Sequence, residues 1–391
     1  MTPSARIQAA IEILDEVIIS SRDDGPPADT IVQRYFKTRR YAGSKDRRAV
    51  RELVYRAIRW AGERPVSGRE AMLGLADEDA ELSALFDGSV HGPAPRNDEV
   101  GAPPALLPAW IETELSQHVA ADEWPALLER APLDLRVNAA RADREAMAQA
   151  FADAQLTRLS PWGLRLPADT RVDDQPAFRD GLVEVQDEGS QLIALACMPA
   201  DGTVLLDLCA GAGGKSLALA AAAPGARIVA TDTNRARLTQ LAPRAERAGA
   251  AIEARLIDGG REEEQLSDLK DQCDIVLVDA PCSGSGTWRR NPEGRWRLTP
   301  DRLDRVVMLQ ERLLDLAAPL VKPGGVLVYA TCSILRREGI EQAGNFLGRH
   351  SSWIGQDVPF DGGRQEGEGR LLTPAHDATD GFFVARFVRP C

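Results

Sequence analysis

The sequence predicts an α/β protein that begins with an all-α region and ends in a doubly wound, mostly parallel sheet. Three observations predict this fold class. Apolar runs of strand length alternate with helical segments from about residue 201 to the C-terminus. Residues 1–130 carry apolar side chains at helical spacing. Residues 131–200 mix the two periods, which is typical of a small α/β module.

Residues 1–130 are predicted to form a small all-α domain. Four apolar residues recur at helical spacing near the N-terminus: Ile7, Ile11, Leu14 and Ile18. The same spacing recurs over residues 50–61, which follow Asp46 as a candidate N-cap. Residues 62–108 are rich in Gly and Pro, and long elements there are broken by Pro93, Pro95, Pro103 and Pro104. A further amphipathic stretch follows Pro108.

Residues 131–200 are predicted to form a small α/β module, because strand-like and helix-like stretches follow one another there. Strands are expected at 133–137, 164–166 and 182–185. Helices are expected over 142–154 and 190–198. The second of these helices leads into the next domain.

Residues 201–391 are predicted to form the doubly wound sheet. Its strands are expected at 203–208, 227–231, 252–257, 274–278 and 325–330. Sheets of this kind bind ligands beyond the carboxyl ends of their parallel strands. The residues that directly follow these apolar runs are therefore the first candidates for a functional site.

The composition is that of a globular protein, since 44% of the 391 residues are hydrophobic and 27% are charged. Disordered and coiled-coil classes are therefore disfavoured. No apolar run approaches the roughly 18 residues that a membrane helix requires, and the N-terminus lacks the apolar core of a signal peptide. These features predict a cytoplasmic protein with no membrane partner. The six cysteines form no Cys-x-x-Cys pair, so no metal site is expected.

The net charge of −12, from 47 basic and 59 acidic residues, argues against a nucleic-acid binder when the chain is taken as a whole. Two stretches are nevertheless basic. Residues 31–65 hold 11 Lys or Arg against 3 Asp or Glu, and residues 286–305 hold 6 against 3. Both are candidate phosphate-binding surfaces. Trp288 and Trp296 lie among the arginines of the second stretch, where they either stack on bases or belong to the core.

The first candidate motif, residues 206–216, joins a strand to a helix through a Gly-rich turn. Its glycines allow the backbone to approach a ligand closely, and its spacing is not that of a phosphate-binding P-loop. Asp232, at the end of the next strand, is suited to accept hydrogen bonds from two ribose hydroxyls. NAD and S-adenosylmethionine (SAM) both fit this pattern. Asp258 follows the third strand, where it either faces an adenine or is a plain turn residue.

Two cysteines follow two further strand ends. Cys282 lies three residues after Asp279, and Cys332 directly follows Thr331. Small polar neighbours at a strand end are untypical of a buried structural thiol, so both cysteines are candidates for chemistry. The other four cysteines are expected to serve packing: Cys197, Cys209, Cys273 and Cys391.

Taken together, the segments Asp279-Ala-Pro-Cys-Ser-Gly and Thr331-Cys-Ser resemble the RsmB/Nop/Sun family of SAM-dependent RNA cytosine-5 methyltransferases. The Gly-rich turn differs from the family's usual Ala-Pro-Gly-Gly-Lys-Thr, and this difference leaves the contact of Lys215 open. Other parts of the chain are also similar to the family: 135–138 and 185–191 to its small preceding domain, 288–296 to its basic stretch, 380–387 to its closing strands, and the N-terminus to the NusB-like domain of bacterial members.

The resemblance implies a Rossmann-like class I SAM-dependent methyltransferase fold and a covalent mechanism. It assigns Cys332 to nucleophilic addition at cytosine C6 and Cys282 to release of the product. It assigns Asp279 to cytosine N3, which this residue would either hydrogen-bond or protonate. SAM is the expected cofactor. The residues expected to bind it are Leu208, Cys209, Ala210, Gly211, Ala212, Gly213, Gly214, Lys215, Asp232, Arg237, Asp258 and Asp279.

The resemblance also gives each domain an expected role. Residues 1–130 would be a NusB-like RNA-binding domain, 131–200 an RNA-recognition module and 201–391 the catalytic domain. The expected partner is 16S rRNA or an immature small ribosomal subunit, with no DNA, and the protein is expected to be a monomer. Two alternatives stay open, a transfer-RNA cytosine-5 methyltransferase and a catalytically silent RNA-binding assembly factor. A NAD-dependent dehydrogenase is disfavoured because no Tyr-x-x-x-Lys pair or His follows a strand end.

Overall fold

The computed structural model describes residues 1–23 and 25–391, which divide into two compact units. The helical unit comprises Met1–Leu115, Ala120–Glu129 and Thr287–Arg302. The sheet unit comprises Ser116–Val119, Arg130–Gly286 and Leu303–Cys391. The three domains expected from the sequence, with their separate roles, stay a prediction.

Amphipathic helices that share one apolar core form the helical unit. Thr2 caps the first helix, since its Oγ1 accepts the Ala5 N–H at 3.2 Å. The four apolar residues expected at helical spacing near the N-terminus are all buried. The helices of this unit span Pro3–Arg22, Ala28–Thr38, Ser44–Trp60, Gly68–Asp77, Ala80–Ser83 and Gly294–Arg297, with short 3-10 helices at Ala109–Ile111 and Ala121–Leu127.

The helix Ser44–Trp60 begins before Asp46, so the expectation that Asp46 is its N-cap is wrong. The Asp46 carboxylate instead accepts hydrogen bonds from the N-terminal amine at 3.1 Å and from Arg6 Nε at 3.0 Å. Asp46 therefore binds two cations, the N-terminal amine and Arg6, and does not cap the helix.

The helix Gly68–Asp77 forms inside the Gly-rich stretch in which no long element was expected. Glycine is needed there for close packing. A Cβ on Gly68 would lie 2.2 Å from the Ile11 carbonyl oxygen, and one on Gly74 would lie 2.4 Å from the Ala102 carbonyl oxygen. Close packing against neighbouring segments thus explains why this helix contains glycines, which usually weaken a helix.

The segment 287–302 packs with the N-terminal helices, although the sequence placed it in the catalytic domain. Trp288 and Trp296 are 0% and 2% exposed, and Trp296 Nε1 donates to the Ala61 carbonyl oxygen at 2.9 Å. The base-stacking alternative for these two residues is therefore wrong, because both rings are buried and that of Trp296 belongs to the core of the helical unit.

Arginines of the same segment bind backbone carbonyls at the ends of helices. Arg295, which is buried, donates to the Ile58 carbonyl oxygen at 2.6 Å in the last turn of Ser44–Trp60. Arg302 donates to the Arg22 carbonyl oxygen at 2.8 Å, at the end of the first helix. The last carbonyls of a helix have no partner within it, and cations stabilise them. These two arginines of the second basic stretch therefore have a structural role.

A small antiparallel sheet opens the sheet unit, with its strands in the order β2–β3–β1–β4. The strands span β1 (Leu133–Val137), β2 (Gln155–Leu156), β3 (Gly163–Leu166) and β4 (Val183–Val185). The helices Arg144–Ala150 and Pro176–Arg179 accompany this sheet. All three strands expected in this stretch are present.

The main sheet has nine strands in the order β11–β12–β13–β9–β8–β5–β6–β7, with β10 paired to β13. Strands β5 to β9 run parallel, and β10 to β13 extend them antiparallel. The predicted doubly wound, mostly parallel sheet is confirmed. The strands span β5 (Val204–Asp207), β6 (Arg227–Asp232), β7 (Glu253–Leu256), β8 (Cys273–Asp279), β9 (Val321–Thr331), β10 (Ile354–Gln356), β11 (Arg364–Glu366), β12 (Gly369–Leu372) and β13 (Phe382–Val388).

The order of the main sheet creates a crevice between β5 and β8. The chain runs outward through β6 and β7 on one side of β5, and then continues on its other side with β8 and β9. Such a reversal separates the loops at the carboxyl ends of the two central strands. The helices of the unit span Glu188–Ala196, Gly214–Ala222, Arg235–Leu238, Leu241–Ala248, Glu262–Gln265, most of Pro300–Ala317, Ile340–Arg349 and Pro374–Asp377.

The helix Pro3–Arg22 has 20 residues, a length that could in principle cross a bilayer. Charged side chains along it give it too little apolar character. Within residues 1–23 and 25–391, no helix combines the length and apolar character needed to cross a bilayer.

Candidate active site

The Gly-rich turn follows β5 and opens the helix Gly214–Ala222. Gly211 and Gly213 have φ values of +58° and +81°, in the left-handed region that glycine adopts without strain. A Cβ on Gly213 would lie 2.1 Å from Leu241 Cδ1, so a side chain does not fit there. The glycines therefore give the turn its shape beside the crevice.

Asp232, at the end of β6, is held rigidly beside this turn. Its Oδ2 accepts the Gly211 N–H at 2.7 Å, and its Oδ1 accepts the Asn234 N–H at 2.6 Å. The residue is only 8% exposed, yet it lines a cavity. Each carboxylate oxygen keeps a further lone pair, so the side chain can accept hydrogen bonds from ribose hydroxyls.

A cavity of about 490 Å³ lies at the carboxyl ends of β5, β6 and β8. This volume falls within the usual range for small-molecule and cofactor sites. A second, more open cavity of about 830 Å³ shares part of its wall but contains neither candidate cysteine. The smaller cavity is lined by Leu208, Cys209, Asp232, Thr233, Asn234, Arg237, Ile257, Glu262, Asp279, Ala280, Pro281, Cys282, Leu309, Arg312, Leu313, Leu316 and Cys332.

The two candidate cysteines meet in this cavity, with 3.3 Å between their sulfur atoms. Cys282 follows β8 and Cys332 follows β9, and these neighbouring strands are paired in parallel up to Asp279 and Ala330. The hydrogen bond with Cys332, burial, and the charges of Cys332 and Glu338 raise the pKa of the Cys282 thiol well above its usual value. These influences favour the thiol form of Cys282, and either sulfur atom can be the donor in the contact between the two.

Lys215 binds Asp279, which answers the question that the sequence left open. Lys215 Nζ lies 2.6 Å from Asp279 Oδ2. Burial works to lower the pKa of Lys215, but the charge and hydrogen bond of Asp279, with a further contribution from Cys332, outweigh it and raise the pKa. The ammonium group is therefore charged and attracts negative charge at Cys332. Among the described residues, no hydrogen bond reaches Asp279 Oδ1.

Asp207, at the end of β5, is fully buried, and its carboxyl group has a raised pKa. Burial raises the pKa of its carboxyl to about 7, while the hydrogen bond from Ser216 at 2.6 Å lowers it and the charge of Asp279 raises it further. The folded protein therefore binds this proton more tightly than the unfolded chain does. The stability gained from it is complete below the ordinary pKa of 3.8 and is lost as the pH rises through about 7.

We expect Asp207→Asn to flatten the dependence of stability on pH. Between about pH 5 and pH 8 the carboxyl should cost the wild-type protein roughly 2 kcal/mol of unfolding free energy, and the amide carries no such cost. Urea unfolding of both proteins at the two pH values measures the difference. Asp258→Asn, at an exposed carboxyl, is the control. Equal pH dependence in wild type and Asp207→Asn would contradict the account of Asp207.

The cavity brings together seven of the residues predicted from sequence: Leu208, Cys209, Asp232, Arg237, Asp279, Cys282 and Cys332. Six others shape the turn and are not among the residues that line the cavity: Ala210, Gly211, Ala212, Gly213, Gly214 and Lys215. Asp258 is exposed and accepts a hydrogen bond from Gln265 Nε2 at 3.1 Å, while the neighbouring Ile257 lines the cavity. The adenine contact of Asp258 stays a prediction.

The helix Pro300–Ala317 forms one wall of the cavity, and this wall was not predicted from the sequence. Leu309, Leu313 and Leu316 recur at helical spacing, which indicates an apolar helix face but not the cavity that it covers. The ion pair between Glu262 and Arg312, at 2.9 Å, belongs to the same wall and joins residues far apart in sequence.

The cavity at the strand crossover, the carboxylate fixed at the end of β6 and the Gly-rich turn together suit the nucleoside part of SAM. SAM-dependent methyltransferases share these features. A family profile described as 16S rRNA methyltransferase RsmB/F matches residues 194–388. Among individual relatives, ribosomal RNA small subunit methyltransferase B of Serratia proteamaculans is 34% identical over 292 residues, which cover 73% of this chain and 66% of that protein's length.

The protein of the same name from Erwinia tasmaniensis is 32% identical over 327 residues, which cover 79% of this chain and 74% of that protein. The chain therefore belongs to the RsmB/F family of 16S rRNA methyltransferases, which confirms the resemblance found in the sequence and SAM as the cofactor. The crystal structure of PH0851 has the same fold, with a TM-score of 0.76 and 24% identity over 99% of each chain.

Proposed function

We propose that the chain transfers a methyl group from SAM to C5 of a cytosine in 16S rRNA, presented free or in an immature small ribosomal subunit. The observation that carries this proposal is the pair of thiols, 3.3 Å apart, in the cofactor cavity. Membership of a 16S rRNA methyltransferase family supports the choice of RNA. We further propose that the protein acts as a monomer in the cytoplasm and does not bind DNA.

Cys332 would act as the nucleophile. Cytosine C5 is too poor a nucleophile to attack a methyl sulfonium directly, and bound SAM supplies that electrophilic methyl group. Addition of the Cys332 thiolate to C6 moves electron density onto C5 and N3, which turns one difficult step into two easier ones. Lys215, whose pKa is raised, supplies a positive charge that interacts with the Cys332 sulfur.

Asp279 would hold the base at N3. Lys215 binds Oδ2 of Asp279 at 2.6 Å and so fixes the orientation of the carboxyl group. Oδ1 is then the oxygen available to the cytosine. An ionised carboxylate oxygen and cytosine N3 are both acceptors, so this contact needs a proton, taken up from solvent, between Oδ1 and N3. That proton neutralises the negative charge that develops on the ring when the thiolate adds to C6.

Cys282 would act after the methyl group has reached C5. The hydrogen bond with Cys332 and the Cys332 charge hold the proton on Cys282 in the free protein, because both raise its pKa. A thioether at Cys332 carries no charge, so the pKa of Cys282 falls once the adduct has formed. Cys282 can then lose its proton to solvent and, as the thiolate, take the proton from C5. The electrons of that C–H bond re-form the C5–C6 double bond, the Cys332–C6 bond breaks, and Cys332 leaves as a thiolate.

Transfer of tritium from methyl-labelled SAM to unmodified bacterial RNA tests the proposed substrate. We expect label in small-subunit rRNA, recovered as 5-methylcytosine after digestion. Label confined to transfer RNA would keep the chemistry and overturn the substrate. No label on free RNA calls for the same assay on immature small subunits, and failure there as well would favour a silent assembly factor.

The first basic stretch supports RNA as the partner. Its helices, Ala28–Thr38 and Ser44–Trp60, and the loop between them expose cations for which the described part of the chain offers no ion pair: Arg34, Lys37, Arg40, Lys45 and Arg48. Cations that bind phosphates displace condensed counterions, so their contribution to RNA affinity falls as the salt concentration rises.

We expect the triple change Arg34→Gln, Lys37→Gln and Arg40→Gln to weaken RNA binding and to reduce its salt dependence. The slope of log affinity against log salt should fall by roughly 0.7–0.9 for each phosphate that the variant no longer neutralises. Filter binding at several salt concentrations measures it. The matched control neutralises three exposed arginines that are paired with nearby acids: Arg22, Arg179 and Arg261. Equal slopes in both triple variants would show that the first stretch does not bind RNA.

A further inference from the structure

A buried carboxylate, Glu338, lies between the loops that carry the two cysteines. Its Oε1 accepts the N–H of Ser283, which follows Cys282, at 2.8 Å. Its Oε2 accepts the hydroxyl of Ser333, which follows Cys332, at 2.6 Å. Glu338 is 0% exposed, so one rigid side chain joins both loops.

The side-chain amide of Gln310 adds a further link between Glu338 and the loop that carries Cys282. Gln310, on the helix Pro300–Ala317, donates to Glu338 Oε1 at 2.9 Å and to the Pro281 carbonyl oxygen at 3.0 Å. The residues on both sides of Cys282 are therefore fixed to the same carboxylate, one directly and one through the amide. The Glu338 backbone is anchored as well, because its carbonyl oxygen accepts the Tyr329 hydroxyl at 2.8 Å.

Burial of the charged Glu338 side chain costs folding free energy, and no cation in the described part of the chain offsets that cost. A buried carboxylate is normally paired with a cation, because burial without a partner costs several kcal/mol. Among the described residues, no Lys, Arg or His forms an ion pair with Glu338, which is held by hydrogen bonds alone. A neutral glutamine could keep most of these bonds without that cost.

We infer that Glu338 is a positioning residue that joins the two cysteine loops and sets the separation and relative roles of their thiols. The inference rests on the proposed function for its catalytic meaning, but not for the chemistry of the free thiols. The titratable groups around the pair are Lys215, Asp279, Tyr329 and Glu338 itself. Lys215 interacts with Cys332, whereas the negative charge of Glu338 helps to keep the proton on Cys282. The two thiols thus feel opposite charges.

The test compares wild type with Glu338→Gln, which removes the charge and keeps the shape. Iodoacetamide is applied to the free protein over a range of pH, and mass spectrometry of peptides gives the alkylation rate of each cysteine. We expect the wild type to react faster at Cys332 than at Cys282. Glu338→Gln lowers the pKa of Cys282, so its alkylation should rise about tenfold at a given pH, and its pH profile should move to lower pH.

Two further variants separate charge from geometry. Glu338→Asp keeps the charge but reaches less far, so we expect the preference for Cys332 to be retained while methyl transfer falls about tenfold. Glu366→Gln is the matched control, because Glu366 is also a buried glutamate of the sheet unit but binds Ser116. It should leave both thiol profiles and methyl transfer unchanged. If Glu338→Gln does not fold, Ser333→Ala removes the bond between Glu338 and the Cys332 loop but keeps the charge. We then expect the preference for Cys332 to be retained and methyl transfer to fall, and unchanged methyl transfer would overturn the inference.

Equal alkylation profiles in wild type and Glu338→Gln would overturn the inference, whatever the effect on melting temperature. The two proposals can also fail separately. If the alkylation profile shifts in Glu338→Gln but the wild-type protein methylates no RNA, the proposed function is overturned and the role of Glu338 stands. A merely structural role would lower stability without changing which thiol reacts first.

Discussion

Replacement of Cys332 by alanine is expected to abolish methyl transfer and to leave SAM binding almost unchanged. Without the thiol, cytosine C5 is never activated, so the loss should be about 10⁴-fold or more in single-turnover rate. Cys332 borders the cavity, but the carboxylate suited to the ribose, Asp232, is held by separate bonds to Gly211 and Asn234. Calorimetry with SAM and single-turnover methylation measure the two effects separately.

Cys391→Ala is the matched control for this experiment, because Cys391 is an exposed thiol that does not line the cavity. It should methylate RNA at the wild-type rate. Cys332→Ala protein that retains more than a trace of activity would contradict the assignment of the nucleophile. Loss of SAM binding with normal turnover per bound SAM would show that Cys332 serves the cofactor instead.

The second large effect is expected for Cys282→Ala, which should trap the protein on its RNA. Cys332 can still add to C6 and C5 can still receive the methyl group, but no thiolate is present to take the C5 proton. The adduct should therefore persist and survive denaturing electrophoresis as a shifted band. Turnover should fall by a factor of about 10²–10⁴, the usual contribution of an acid or base catalyst.

The double variant Cys282→Ala with Cys332→Ala provides the control, since it lacks the nucleophile and should give no adduct. The Sγ–Sγ distance of 3.3 Å supports this division of roles, because the two thiols are close enough to act on one base. Sustained methylation by Cys282→Ala without any stable adduct would reverse the assignment.

Much of the main sheet could be predicted from sequence because parallel strands are buried on both faces. Continuous apolar runs such as 227–231 and 274–278 are therefore visible without knowledge of their partners. The helix Gly68–Asp77 was not predicted, because it lies in a stretch that is notable only for its Gly and Pro content, and the close contacts that require its glycines are not visible in the sequence. A local signal was present: Ser67 caps the Glu70 N–H at 3.1 Å, and Ser-x-x-Glu is a capping-box pattern.

The candidate site was partly predictable for a related reason. Asp232, Asp279, Cys282 and Cys332 all follow strand ends, and the topology of a parallel sheet brings such residues to one edge. Glu338 was not predicted, because a charged residue six positions after Cys332 looks like surface until the hydrogen bonds of Ser283 and Ser333 are seen. The burial of Trp288 also depends on contacts distant in sequence, and a basic stretch does not reveal them.

Covalent catalysis by Cys332 is tested most directly by identifying the cysteine that forms the covalent bond to the cytosine. RNA that carries 5-fluorocytosine should accept the thiolate and the methyl group, but the fluorine at C5 cannot leave as a proton does. The adduct should then accumulate in the wild-type protein. Mass spectrometry after digestion should place the modified, methylated base on the peptide that contains Cys332. The same base on Cys282, or no adduct with an RNA that is methylated in its unfluorinated form, would contradict covalent catalysis by Cys332.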